Sequence, residues 1–341
     1  MVWHAPTVLP TTTQQWSLTF RAVCEPVPGP QWRGLFARTW PAYRTWYCRP
    51  DGRRRPDLET CARMLQTHMP ELVPGWRRLV RQAGGDELAA RMLSLYDPPP
   101  YLTGCSQAVL AHGRRGPSLV RNYDYAPQLF EGTLTGSSLT GRKVVGMSDC
   151  LWGLVDGMND AGLAVSLAFG GRPVVGHGFG IPLVLRYVLE VCDTVTDARA
   201  VLARVPVHMA YTVTAVDRGG GHLTAYLGPD REPGFTDLPL ATNHQERPDW
   251  PEQAEATRSV PRHDALRAAL AEPGLDSDTL VGHFLRPPLR TTDYSLGFGT
   301  VYTARYRPRD GWCEYRWPGS VWRHRVGAMH PGRHVVIVDG R

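Results

Sequence analysis

The chain has 341 residues, 42% apolar and 21% charged, with 38 Lys and Arg against 32 Asp and Glu for a formal charge of +6. That composition supports a buried core and excludes general disorder; at roughly 100–200 residues per domain it allows two modest domains or one large one. The positive excess is small and dispersed, and its densest run, Arg53-Arg54-Arg55, reads as a solvated loop before a nucleic-acid footprint. Lys143 is the only lysine, and because Val144 follows it the Gly-Lys-Ser/Thr of a phosphate-binding P-loop is excluded. No apolar run approaches the roughly 18 residues that span a bilayer. The start, Met1-Val2-Trp3-His4-Ala5-Pro6, lacks the pattern of a secretory signal. The seven cysteines, Cys24, Cys48, Cys61, Cys105, Cys150, Cys192 and Cys313, are odd in number and include no Cys-x-x-Cys. They fit free thiols in a reducing cytoplasm better than a disulfide framework.

Residues 1–56 are rich in Pro, Trp and Arg and read as strand fragments and loops. From Asp57 the period turns helical: Leu58, Ala62, Leu65 and Met69 share a face, then Leu72, Trp76, Leu79 and Val80, then Leu88, Met92, Leu95 and Tyr96. Asp97-Pro98-Pro99-Pro100 stops any helix, because successive prolines remove donors and fix φ. Strands are predicted at 106–111, 118–123, 144–155 and 163–169, with 156–162 as a turn-rich connection. Helices follow at 181–192 and at 197–204, the second capped by Thr196. Strands resume at 211–216 and 222–227; 265–270 and 277–284 read as helical, and 300–306, 312–317 and 334–338 as closing strands. Strands, then helices, then strands predict an α+β sandwich.

Three segments carry candidate chemistry. Gly104-Cys105-Ser106-Gln107 opens the first strand after the proline stop. An isolated Gly-Cys pair is ordinarily a half-buried thiol at a loop junction. The alternative is a nucleophile that cuts its own preceding peptide bond, helped by a glycine that tolerates strain. The free α-amine so created, with a reference pKa of about 7.7–8.0, suits a general base near neutral pH. One hairpin on, Arg121-Asn122-Tyr123-Asp124-Tyr125 returns Arg121 and Asp124 toward Cys105 if the strands pair. Asp124 can hold the new amine and Arg121 can favour thiolate, although an exposed Arg–Asp pair would mean little. Leu240-Ala241-Thr242-Asn243-His244 ends an apolar strand in polar residues; Asn243 either closes an Asx turn or donates to an oxyanion.

In combination these segments resemble the cysteine N-terminal-nucleophile (Ntn) hydrolases, above all the acyl-CoA:6-aminopenicillanate (isopenicillin N) acyltransferase family, and more distantly the choloylglycine and penicillin V hydrolases. The likeness also takes in Asp156-Gly157-Met158-Asn159-Asp160-Ala161-Gly162-Leu163 and Thr300-Val301-Tyr302-Thr303-Ala304-Arg305-Tyr306, and so covers most of the chain beyond residue 100. It implies a four-layer αββα sandwich preceded by a largely helical N-terminal segment. Autocleavage between Gly104 and Cys105 would divide the chain into associated α (1–104) and β (105–341) pieces. The resemblance also implies Cys105 as nucleophile, Arg121 and Asp124 as its supports, and Asn243 with a backbone N–H near Phe169–Gly171 as oxyanion donors. Asn159 would be a structural turn residue, and Arg290 or Arg305 would supply a later site arginine. Tyr125 and Gln245 depart from the family pattern, which leaves the substrate open.

The expected function is acyl transfer or amide hydrolysis on a linear amide or acyl thioester through an acyl-Cys intermediate. Alternatives are a plain linear-amide hydrolase with no acyl-CoA donor, or a binding protein that kept the fold and lost the chemistry. The expected partner is a small-molecule amide or acyl-thioester, with acyl-CoA a candidate; no cofactor, metal, nucleic acid or membrane is expected, and homo-oligomerisation is open. His177, His208, His222 and His244 are too dispersed for a zinc site and read as turn or packed residues. Gly-x-Ser-x-Gly is absent, and Trp40, Trp46 and Trp76 read as core or interface.

Overall fold

The computed structural model describes residues 14–340, so the reading of the Met1–Pro6 start lies outside the described residues. Before Cys105 the chain forms β1 (Gln14–Cys24), α1 (Pro30–Tyr47), α2 (Leu58–His68), α3 (Val73–Gln82) and α4 (Glu87–Leu93). Then come β2 (Gly104–Leu110), β3 (Ser118–Tyr125), β4 (Thr133–Ser137), β5 (Val144–Asp149), β6 (Gly153–Asn159) and β7 (Leu163–Phe169). Helices α5 (Ile181–Val191) and α6 (Val195–Arg204) lead to β8 (Tyr211–Asp217), β9 (His222–Leu227), β10 (Gly234–Thr236) and β11 (Leu240–Ala241). After α7 (Pro251–Ala256), α8 (Ser259–Leu270) and α9 (Ser277–Phe284), the chain closes with β12 (Thr292–Asp293), β13 (Phe298–Arg307), β14 (Trp312–Trp317), β15 (Ser320–Arg325) and β16 (Gly332–Gly340).

Two sheets stack face to face. One runs β10-β9-β8-β7-β6-β5-β4-β1-β16, the other β11-β2-β3-β13-β14-β15 with β12 on β13. Pairing is antiparallel except between β1 and β4. β2 and β3 pack on β7 and β8, α5 and α6 lie on the first sheet, and α8 and α9 lie on the second. β6 and β7 are buried at every residue and β2 and β3 at all but their last, as strands covered on both faces must be. The order is αββα, as expected.

The N-terminal reading needs correction. Residues 14–47 are a long strand inside the larger sheet followed by an 18-residue helix. Trp32, Phe36, Trp40, Tyr43 and Tyr47 recur at helical spacing, and Trp32, Phe36 and Trp40 stack with centroids 5.3 and 5.2 Å apart. Pro41 and the polar residues between them hide this period. Trp32 Nε1 donates to Leu151 O at 2.9 Å and Trp152 Nε1 to Leu93 O at 2.8 Å, tying the helices to the sheet. Trp76 is buried and Trp40 and Trp46 pack against the core, so all three do structural packing.

Further along, 144–155 is two strands, broken by a turn in which Cys150 and Leu151 have φ of 55° and 73°. Asp156 through Asn159 therefore lie in β6, and only 160–162 turns. An apolar run on both sides of the break conceals it, because neither Gly nor Asn marks the left-handed positions. Asn159 is structural: Nδ2 donates to Leu189 O and Cys192 O, and Oδ1 accepts from Leu163 N. The cap of α6 is Thr194, in a capping box with Asp197, and Thr196 sits inside the helix. Among the described residues no helix is long and apolar enough to cross a membrane.

Candidate active site

Cys105 is the second residue of β2, and the β2–β3 register sets it opposite Tyr123, with Gly104 opposite Asp124 and Gln107 opposite Arg121. Because side chains alternate along a strand, Cys105, Arg121 and Tyr123 face the space between the sheets, whereas Asp124 faces the α8–α9 layer. The site is thus built on both faces of the β2–β3 pair.

On the inner face Arg121 Nη2 lies 2.8 Å from Cys105 Sγ. Nη1 donates to Asp156 Oδ2 and to Val155 O, both at 2.8 Å. Asp156 also accepts from Tyr302 at 2.6 Å and from Tyr306. Arg121, Asp156 and Cys105 are fully buried. Burial would lower the Arg121 pKa, but Cys105, Tyr302 and Asp156 more than reverse this, and the guanidinium stays charged. Burial raises the Cys105 thiol; Arg121 pulls it back only in part.

On the outer face Asp124 Oδ2 accepts from Arg262 Nη1 at 2.8 Å, and Oδ1 from Thr300 Oγ1 at 2.6 Å. Arg262, from α8, also donates from Nη1 to Cys105 O at 3.1 Å and from Nη2 to Asn243 Oδ1 at 2.6 Å. Burial raises Asp124 and lowers Arg262, and each partner's charge opposes the other's shift. Asn243 Oδ1 accepts the backbone N–H of Cys105 at 3.0 Å, and Nδ2 reaches Thr103 O at 3.4 Å and Phe169 O at 3.3 Å. A side chain from 138 residues away therefore holds the nitrogen of the cysteine itself.

Gly104, Cys105, Arg121, Asp124 and Asn243 come together in one place. The Phe169–Gly171 segment meets Asn243 too, but through the Phe169 carbonyl, and the Gly170 N–H is spent on Ala210 O at 2.9 Å. Gly171, at φ +69°, is required there, since a Cβ would stand 2.3 Å from Asn243 O. Neither suggested later arginine reaches the cysteine: Arg305 pairs with Asp278 and Glu314, and Arg290 makes no hydrogen bond to it. Arg262 is the later arginine whose side chain does reach the cysteine, at its carbonyl oxygen. Its sequence signal is weak because residue 262 precedes the stretch read as helical, while α8 begins at Ser259. Asp156 falls in a stretch read as a turn, and Tyr302 and Tyr306 fall within a noted strand without a role.

The remaining histidines are scattered. His208 is buried and pushed down to about 3 by burial, and His244 to about 4 by burial and His263. His177 stands largely exposed against Asp97, and His222 bonds to backbone carbonyls. No group of three or more metal-ligating side chains occurs among the described residues.

A cysteine heading an inner strand of an αββα sandwich is the arrangement of the N-terminal-nucleophile hydrolases. The family described as acyl-coenzyme A:6-aminopenicillanic acid acyl-transferase matches residues 112–321, more than half the chain, and the chain belongs to that family. The matched stretch contains Arg121, Asp124, Asn243 and Arg262 and begins just beyond Cys105. No curated protein matches the sequence. Among solved structures the chain is similar to a mutant conjugated bile acid hydrolase from Clostridium perfringens (12% identity, 67% of this chain and 96% of that one, TM-score 0.46). It is also similar to penicillin V acylase from Agrobacterium tumefaciens (15%, 65% and 86%, 0.46). A third is the Caenorhabditis elegans ortholog of N-acylethanolamine-hydrolyzing acid amidase (15%, 61% and 93%, 0.45). The protein is an enzyme of this acyltransferase family.

Proposed function

We propose that the chain cuts itself between Gly104 and Cys105 and then works as a cysteine acyltransferase or amidohydrolase through an acyl-Cys intermediate. The observation that carries this reading is that both reactive atoms of one residue are held: Sγ by a buried guanidinium at 2.8 Å and N by Asn243 at 3.0 Å. A cysteine serving only as core would need neither.

In the cutting step Sγ attacks the Gly104 carbonyl carbon, the Gly104–Cys105 C–N bond breaks, and the thiol proton passes to the departing nitrogen. Water then hydrolyses the thioester, leaving Gly104 as a carboxylate and Cys105 with a free thiol and α-amine. In turnover the α-amine takes the thiol proton and the thiolate attacks a substrate carbonyl. The proton goes to the leaving group, and the acyl group passes from sulfur to water or to an acceptor amine. Arg121 offsets the charge on sulfur; Asp124, through Arg262, fixes the strand end that carries the amine. Loss of Thr103 from its place would release Asn243 Nδ2 to donate to the oxyanion. Residues 1–104 and 105–341 would be the two associated pieces, and all seven cysteines are free, in keeping with a cytoplasmic location.

N-terminal sequencing of the purified protein tests the cut: a second sequence beginning Cys-Ser-Gln is expected, and Cys105→Ala should remain whole. Supplying an acyl-CoA with an amine, against an amide alone, then separates transferase from hydrolase by CoA thiol release. A wild-type chain that stays at 37.9 kDa by intact mass would overturn the proposal.

A further inference from the structure

A second acidic pair lies outside the machinery around Cys105. Glu131 precedes β4 and Asp149 ends β5, and Tyr43 of α1 joins them: its hydroxyl donates to Glu131 and stands 3.3 Å from Asp149 Oδ1. Glu131 also accepts from Leu151 N at 2.6 Å and Ser148 Oγ at 3.0 Å, and Asp149 from Cys150 N at 2.9 Å. Among the described residues no Arg, Lys or His offsets either carboxylate. Burial raises both, and with Glu131 beside it Asp149 is pushed up to about 7. Two neighbouring carboxylates without a counter-cation are costly to keep ionised out of water.

Both border a cleft of ≈ 330 Å³ walled by Tyr43, Trp46, Tyr101, Tyr125, Leu129 and Phe130. Trp46 and Tyr101 meet edge-on at 5.9 Å, and Tyr125 contacts Tyr123, the cross-strand partner of Cys105, at 5.5 Å. The cleft therefore abuts the strand pair that carries the thiol. The Tyr101 hydroxyl, buried in the wall, has no hydrogen-bond partner. The cation on the wall is Arg38, exposed at the rim and unpaired with the acids.

We propose that this cleft selects the substrate, and that Glu131 and Asp149 receive an alkylammonium group carried by it. The assignment of the cleft to a substrate rests on the reading of Cys105 as nucleophile. Aromatic walls favour a cation over a neutral group, most strongly when water is excluded. An ammonium also brings the charge the acids lack and a donor for the open Tyr101 hydroxyl.

The test uses the full chain with Cys105→Ala, which retains the backbone described and turns nothing over. Calorimetric titration compares phenethylammonium with phenethyl alcohol. The ammonium is expected to bind about tenfold more tightly or better, a gap of about 1.4 kcal/mol. Combining Glu131→Gln with Asp149→Asn should abolish that preference. Trp46→Leu, at a half-exposed position that keeps an apolar side chain, should lower the affinity of the ammonium alone. Equal binding of the two probes, no binding, or a preference that survives in the double variant overturns the proposal. Tighter binding of Ca2+ or Mg2+ alone than of the ammonium does so as well. A wild-type chain that never cuts itself would instead sink the reading of Cys105 and leave the charge preference measurable.

Discussion

Cys105 is held between opposing influences: burial raises its thiol, and Arg121 at 2.8 Å draws it back toward thiolate. Arg121→Lys keeps a positive charge but loses the fork that reaches Sγ and Asp156 together. The rate of thiol alkylation by iodoacetamide should then rise at a higher pH than in the wild type; an unchanged profile would remove Arg121 from that role. Asn243→Ala should slow turnover by about 100–1000-fold if Nδ2 is an oxyanion donor. Steady-state kinetics on the cut protein, with circular dichroism to confirm folding, checks this. Exposed Cys48, replaced by Ser, should change neither cutting nor turnover. The Asp149–Glu131 pair gives a pH signature. Burial and the neighbouring Glu131 raise Asp149 above the ordinary carboxylate value, so the neutral form stabilises the fold below about pH 4 and that contribution is lost as pH rises through the raised value. Melting temperature should therefore fall from pH 4 to 8 in the wild type more steeply than in Asp149→Asn.

Among the elements, β2, β3, β13 and α8 must fit closely for the site to exist. Gly104 has no room for a side chain: an added Cβ would stand 1.9 Å from Phe298 Cε2 of β13, and the same ring lies 5.2 Å from the Arg262 guanidinium carbon. Gly104→Ala should thus displace Phe298 and slow self-cutting, read as the fraction of uncut chain on a denaturing gel over time. Adding Phe298→Leu should restore part of the rate; no relief would mean that backbone freedom at Gly104, and not space, is what matters. The helix α1 matters in a different way. Its aromatic face closes the acidic cleft and ties the N-terminal helices to the β5–β6 turn through Trp32.

For the molecule as a whole, the architecture takes no account of the bond before Cys105 at which the cut is proposed. Of the 341 residues, 104 precede it, yet β1 from that part lies between β4 and β16 in the larger sheet. Cutting should leave one folded body: a single peak by native gel filtration, two bands on a denaturing gel. Fragments that separate without denaturant would contradict it. Strand β1 alone contributes Leu18, Phe20 and Ala22 to the core, and exposing apolar surface costs about 25 cal/mol per Å².

What could be read directly from residue order was the part of the site made by neighbours in sequence. One hairpin brings Gly104, Cys105, Arg121 and Asp124 into register, whereas Asn243, 138 residues beyond Cys105, was singled out through the family resemblance. The helices between 58 and 93 were equally legible because their apolar faces repeat at helical spacing. Arg262, Asp156 and the Glu131–Asp149 cleft needed the tertiary structure. Their partners come from other layers, far along the chain, and a buried charge is chosen by what packs against it, which no local period records. The left-handed turn at Cys150 and Leu151 was hidden for a related reason: packing holds it in place without the residues that usually announce such a turn.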